Sequence, residues 1–253
     1  MKFHFLGTAC GRPTAQRFNS STAIEHDGRL IMIDCGEPCT ALLKRQGLSP
    51  GDVTDILITH MHADHVTGLP MLLREITKCR RNGESSRPAT EATRLYVPAH
   101  VNPGIMDAVQ LLCGTDRGAG MAKGVQIESL RDGAEYDLDG LRVSSIANRH
   151  DGLESYAFFI RVAGLRIFHS GDLPGSFNPI APFLQDLDLL ITEAAHLPTT
   201  AYQALNGKNI KQVVISHIRW KHHGQEDQLV ASLAEQLAGT NFSLAEDGMT
   251  LTL

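Results

Sequence analysis

The chain has no run of 18 apolar residues, no cysteines at CxxC spacing and no surplus of positive charge. Each absence removes a class of protein. Without a long apolar run no transmembrane helix is expected. The opening MKFHFLGTACGR, broken by His4, is too short in apolar residues for a secretory leader, so a cytoplasmic protein with no membrane partner is expected. The five cysteines (Cys10, Cys35, Cys39, Cys79, Cys113) are odd in number and scattered, which suits free thiols in a reducing compartment rather than a disulfide framework. A formal net charge of −5 provides no global attraction for nucleic acid, which leaves a small substrate as the default partner.

What is present is an ordinary globular composition. With 253 residues, 42% hydrophobic and 20% charged, the chain can bury a sizeable core in one domain spanning 1–253. The runs FHFLG (3–7), STAIEH (21–26) and LIMIDCG (30–36), punctuated by Gly and by Arg12-Pro13, predict an antiparallel meander. Apolar spacing predicts helices in CTALLKRQ and over 68–78, with a buried strand at DILIT (55–59) between them. The polar stretch 78–93, KCRRNGESSRPATEAT, holds the concentrated basic run (Lys78, Arg80, Arg81, Arg87) and reads as a solvated loop. Beyond it come LYVPAH, a helix over 102–112, strands in VQIESL, LRVSSIAN, YAFFIRV and LRIFHSG, and buried strands in DLDLLITEA (186–194) and QVVISHI (212–218). A helix over 225–239 and a β-structured end complete the chain. A meander leading to Asp34-Cys35-Gly36 is echoed by one leading to Ser170-Gly171-Asp172. Two such pseudo-repeated halves predict an α/β fold of two face-to-face sheets with helices outside, a four-layer αββα sandwich.

The chemistry concentrates in THMHADH, residues 59–65. His60 and His62 stand at i and i+2 of an extended segment, so both rings can turn to one side and share an ion. Asp64 and His65 follow the turn, where a helix start swings them to a neighbouring position, so the stretch can serve two ions about 3.5–4 Å apart. Four residues are too few for two ions, and further ligands are expected at other strand ends. His150 closes VSSIANRH, Asp172 follows RIFHSG, and His217 follows VVIS. The isolated His4, His26, His100 and His169 read as surface or satisfied core. His222 and His223 read as a solvated loop, Asp34 and Glu37 as loop braces, and Gly36, Gly68 and Gly171 as tight turns after strands.

On these residues the sequence resembles the metallo-β-lactamase-fold hydrolase superfamily. The segments FLGTACGRPT, RFNSST and IDCGE (5–37) resemble its ribonuclease Z branch, while TEAAH (192–196) and SLAEDGMTLTL are similar to phosphoribosyl cyclic phosphodiesterases. The resemblance implies two Zn²⁺, with Mn²⁺ as the alternative metal: His60, His62 and His150 on one ion, Asp64, His65 and His217 on the other, and Asp172 bridging. Such a pair lowers the pKa of bound water from 15.7 to about 7, and Asp64 would also orient the nucleophile. The leaving oxygen then needs a proton, for which His196, following LLITEA, is the candidate catalytic donor.

Ribonuclease Z enzymes of the bacterial kind carry a tRNA-gripping arm between the third metal histidine and the bridging aspartate. Here His150 and Asp172 are only 22 positions apart, which leaves no room for it. The 78–93 excursion lacks aromatics for stacking on bases, and the cysteine cluster of the phosphoribosyl enzymes is missing. The expectation is therefore a phosphodiesterase of a small nucleotide or sugar phosphodiester, cyclic ones included, working as the homodimer that the resemblance implies. Its rivals are a tRNA 3′-processing endoribonuclease with an RNA partner and an acyl hydrolase of the lactonase, thioesterase or β-lactamase kind.

Overall fold

A computed structural model describes residues 1–114 and 121–253. The predicted meander is β1 (Lys2–Gly7), β2 (Ser21–His26) and β3 (Arg29–Ile33), all antiparallel, and β4 (Val53–Leu57), β5 (Thr93–Pro98) and β6 (Val125–Leu130) extend it in parallel. The second sheet repeats the plan. Antiparallel β7 (Glu135–Asp137), β8 (Arg142–His150), β9 (Leu153–Val162) and β10 (Leu165–His169) continue into parallel β11 (Leu189–Glu193), β12 (Val213–Ser216) and β13 (Phe242–Leu244). The final strand, β14 (Met249–Thr252), crosses back to pair with β1, so among the described residues each sheet has seven strands.

Period-two alternation explains the layers. Ile31 and Ile33 of β3, Leu189 and Ile191 of β11 and Val214 of β12 meet Phe3, Phe5 and Phe158 between the sheets. Their neighbours Leu30 and Met32 face outward under α1 (Cys39–Arg45), α3 (Leu69–Arg81) and α4 (Ile105–Cys113), through Leu42, Leu43, Leu72, Leu73, Ile76 and Val109. A single-turn α2 (Ala63–Val66) precedes α3. Leu190, Val213 and Ile215 lie under Leu229 and Leu233 of α5 (Glu226–Ala234) and under Tyr202 of a 3₁₀ turn. These are the four αββα layers. Among the described residues no helix is long and apolar enough to cross a membrane.

The interval from His150 to Asp172 is filled by β9, β10 and their turns. Asp151-Gly152 and Ala163-Gly164 take left-handed φ values of 48°, 79°, 49° and 83°, the twist that two-residue hairpin turns require. No arm projects there.

The basic excursion is an exposed loop over most of its length, as predicted, but its first residues depart from that reading. Helix α3 runs on to Arg81, and buried Arg80 donates to the carbonyl oxygens of Gly51 (2.8 Å), Glu91 (2.7 Å) and Val53 (2.6 Å). Arg87 pairs with Glu91 and donates to the Gly28 carbonyl. Polar breakers hid this because carbonyl acceptors leave no mark in a side-chain pattern. Arg80→Met, which keeps the apolar stem but strands the buried acceptors, is expected to lower unfolding free energy by about 2–4 kcal/mol in urea titration. A loss under about 0.5 kcal/mol would mean that water replaces the guanidinium.

Candidate metal centre

The centre forms where strands of both sheets end. Asp34 follows β3 in a left-handed conformation (φ 60°), and its carboxylate accepts from the Thr59 amide and the Thr59 hydroxyl, each at 2.8 Å. The same carboxylate lies 2.7 Å from Nδ1 of His65, which fixes that ring and aims Nε2 inward. Ser20 Oγ does the same for His217, 2.5 Å from its Nδ1, and His217 is also left-handed at φ 47°. The 34–36 loop is held between the two: the Cys35 amide donates to the His65 carbonyl (2.7 Å) and the Gly36 amide to the Ser20 carbonyl (2.9 Å). A Cβ on Gly36 would strike the Asp64 carbonyl oxygen and the Asn19 side chain.

Asp172 stands at the middle. Its Oδ2 lies 3.2 Å from Nε2 of His217, 3.4 Å from that of His65, and 3.7 Å from those of His60 and His150 and from Nδ1 of His196. Asp64 Oδ2 is 3.5 Å from His65 Nε2 and 3.8 Å from His217 Nε2. His60 Nε2 meets His62 Nδ1 at 3.0 Å. Among the described residues three groups could therefore hold an ion: His60, His62, His150 and Asp172; Asp64, His65 and His217; and Asp172, His196 and His217. All seven residues expected as ligands come together, with His196 beside them.

Burial and charge suit cations. Burial pushes His60 down to about 2, with His65 adding repulsion, so its ring offers a lone pair rather than a proton. Burial likewise lowers His150. Burial would raise the Asp172 carboxyl, but His217 and His65 outweigh it and hold the group well below the carboxylate range. His65 runs the other way: burial lowers it, yet Asp172 and Asp34 lift it well above its ordinary value. Asp34 holds the ring at Nδ1, and the pull that Asp172 exerts on a proton at Nε2 is the pull it would exert on a metal. Nε2 of His65 and both ring nitrogens of His150 are buried without a hydrogen-bond partner, a condition a metal ion relieves. The donor set of imidazole and carboxylate fits zinc or another divalent first-row ion.

Among curated relatives, the ribonuclease Z of Bradyrhizobium diazoefficiens is 31% identical over 155 residues, which are 61% of this chain and 48% of the relative. The chain spans about half the length of the curated relatives it matches. The metallo-β-lactamase fold protein YhfI from Bacillus subtilis superposes with a TM-score of 0.81 at 15% identity, covering 99% of this chain and 98% of that one. The short form of human tRNase Z superposes with a TM-score of 0.75 at 22% identity, covering 100% and 99%. The family described as Anti-Pycsar protein Apyc1 matches residues 1–201. The chain belongs to the Anti-Pycsar protein Apyc1 family. The metallo-β-lactamase fold and the ribonuclease Z-like branch expected from the motifs are thereby borne out.

In this Apyc1 family member the residues behind the ligands were the harder ones to foresee. Buried Glu193 closes β11 and accepts from the amides of Leu173 (3.1 Å), Ala195 (2.7 Å) and His196 (2.8 Å), and from Nδ1 of His196 at 3.2 Å. Burial lowers His196, but Glu193, then Asp172 and Asp151, outweigh it and raise the ring above its ordinary value. A carboxylate ending the apolar strand LLITE signals such local donors, since it could not be buried without them. Ser20 carried no comparable signal. Glu37, expected as a brace, is exposed and makes no side-chain hydrogen bond among the described residues. Of the three glycines expected in turns, only Gly171 takes a positive φ (56°); Gly36 and Gly68 are required by close contacts instead. His223 is no solvated residue: its Nε2 donates to the Ile218 carbonyl (2.9 Å) and its Nδ1 accepts from the Thr14 hydroxyl (3.1 Å). His222, with His196, Thr199, Arg219 and Lys221, lines a cavity of about 540 Å³.

Proposed function

We propose that this chain is a cytoplasmic, metal-dependent phosphodiesterase of small nucleotide or sugar phosphodiesters, cyclic ones included, with two Zn²⁺ as its complement and Mn²⁺ as a substitute. The observation that carries this reading is Asp172 set between two ligand-competent groups, His60, His62 and His150 on one side and Asp64, His65 and His217 on the other. Two ions held there would supply Lewis-acid stabilisation of phosphoryl oxygens and lower the pKa of bound water to near 7. The chain's own residues do the rest. Asp64, whose carboxylate is the more open of the two aspartates, orients the attacking water. His196, tied at Nδ1 to Glu193, carries the proton for the departing alkoxide on Nε2. Arg219 and Lys221 place positive charge beside it, and about 540 Å³ lies within the usual range of small-molecule sites.

The hairpin that fills 150–172 supports a small substrate over tRNA. The exposed Leu111 and Leu112 of α4 support the homodimer. A second reading, a tRNA 3′-processing endoribonuclease, is favoured by the curated relative at 31% identity that bears the name ribonuclease Z. The deciding assay presents the zinc- or manganese-loaded protein with bis(p-nitrophenyl) phosphate, 2′,3′- and 3′,5′-cyclic nucleotides, a precursor tRNA, a lactone and nitrocefin. Turnover of the diesters and cyclic nucleotides is the expected result. Cleavage of the tRNA alone would establish the second reading, and turnover of the lactone or nitrocefin alone would refute both.

A further inference from the structure

We propose that Trp220 and Arg12 form a stacking platform at the lip of the metal centre that takes the aromatic base of a nucleotide. The inference rests on the phosphodiesterase reading and names the residues that would hold the base of a nucleotide substrate. Trp220 is the single tryptophan of the chain, and 46% of it is exposed, an unusual position for a side chain that is ordinarily well covered. It opens a 3₁₀ turn (Trp220–His222) three residues past His217. The Arg12 guanidinium lies 4.4 Å from its ring centroid. Arg12 is itself exposed and, among the described residues, has no carboxylate partner.

Both segments are anchored on the centre. Gly11, one residue before Arg12, stands close to Asp64: a Cβ there would lie 3.6 Å from the carboxylate carbon. Just past His217 the loops are joined by two backbone bonds at Ile218, the Cys10 amide to the Ile218 carbonyl (3.2 Å) and the Ile218 amide to the Thr8 carbonyl (2.7 Å). The Thr14–His223 and His223–Ile218 bonds close the same junction further out. The indole and its cation are thus carried by the two segments that touch Asp64 and hold His217. Within the turn, Arg219, Lys221 and His222 line the cavity beside His196 while Trp220 turns to Arg12, as expected where successive 3₁₀ residues differ by about a third of a turn. One turn therefore offers charge on one side and a π face on the other, the two chemistries a phosphate and a base demand. Stacking on such a face tolerates any base, because every base has a π surface.

The lone tryptophan makes the test direct, since all indole fluorescence comes from this position. The zinc-loaded protein is titrated with UMP, AMP, ribose 5-phosphate, inorganic phosphate and tRNA. Saturable quenching by the two nucleotides, absent with ribose 5-phosphate and phosphate, is the expected result. Equal effects from ribose 5-phosphate, or quenching by tRNA with none by mononucleotide, would overturn the platform. In kinetics, the preference for a nucleoside 2′,3′-cyclic phosphate over the same cyclic phosphate without a base is expected to fall about 5- to 100-fold in Trp220→Ala. Trp220→Phe, which keeps a π face and guards against a folding defect, is expected to restore most of it. An unchanged preference in Trp220→Ala would also overturn the proposal. Nucleotide quenching with no turnover of any phosphodiester would leave the platform standing and remove the phosphodiesterase reading, so the two failures are distinguishable.

Discussion

Replacing Asp172 with alanine is expected to cut phosphodiester turnover by about 100- to 1000-fold or more and to lower the zinc bound per chain, while far-UV circular dichroism stays that of a folded protein. Its carboxylate faces five imidazoles at once. Its Oδ2 lies 3.2–3.7 Å from a nitrogen of each of His60, His65, His150, His196 and His217, and it belongs to two of the three ligand groups. Held ionised by His217 and His65 against its own burial, it is the anion that makes a cluster of buried imidazoles tolerable to a second positive ion. Alanine removes that charge and leaves the rings facing one another. The measurements are metal content by elemental analysis and kcat on a cyclic nucleotide. A variant that keeps its full zinc complement and a tenth or more of its turnover would sink the bridging role.

How far the sequence alone reached depends on the range of the interaction. THMHADH was legible because its ligands crowd one strand end, and His150, Asp172 and His217 because each follows an apolar strand whose end must open on a cleft. The two-sheet architecture followed from the same alternation. Asp34 was recognisable as a brace, yet not as the partner of His65, which lies 31 positions away and is joined to it only by the pairing of β3 with β4. Ser20 and His217 lie 197 positions apart, a contact that depends on the sheets facing each other. Local patterns carry no record of such register. The same holds for β14, whose pairing with β1 joins the two ends of the chain. Arg80 shows the opposite failure: a charged residue among breakers looks solvated because the carbonyls that bury it are invisible in a sequence. His169, read as surface or satisfied core, accepts from the Gly171 amide at 3.2 Å and is lowered to about 4 by burial.

His196→Ala is expected to separate leaving groups. A ribose or alkyl oxygen cannot depart without a proton, so the variant is expected to lose about 100- to 10,000-fold on a cyclic nucleotide. Bis(p-nitrophenyl) phosphate expels a stabilised phenolate that needs no proton, and there the loss is expected to be small. The geometry explains why this ring can serve: Glu193 holds Nδ1 at 3.2 Å and His196 is partly open toward the cavity, whereas the expected ligands His60 and His150 are buried. The sign of the pH effect follows from the same contact. Burial lowers the ring, but Glu193 and Asp172 raise it further than burial lowers it, so its acid form persists to higher pH than that of a free histidine. The alkaline limb of kcat/KM on a cyclic nucleotide is therefore expected to move to lower pH in Glu193→Gln, which keeps a hydrogen-bonding group but removes the charge. Zinc content should be unchanged in His196→Ala, because the other seven residues supply both ligand groups on either side of Asp172. Equal losses on the two substrates, or loss of an ion from the variant, would make His196 a ligand rather than the proton donor.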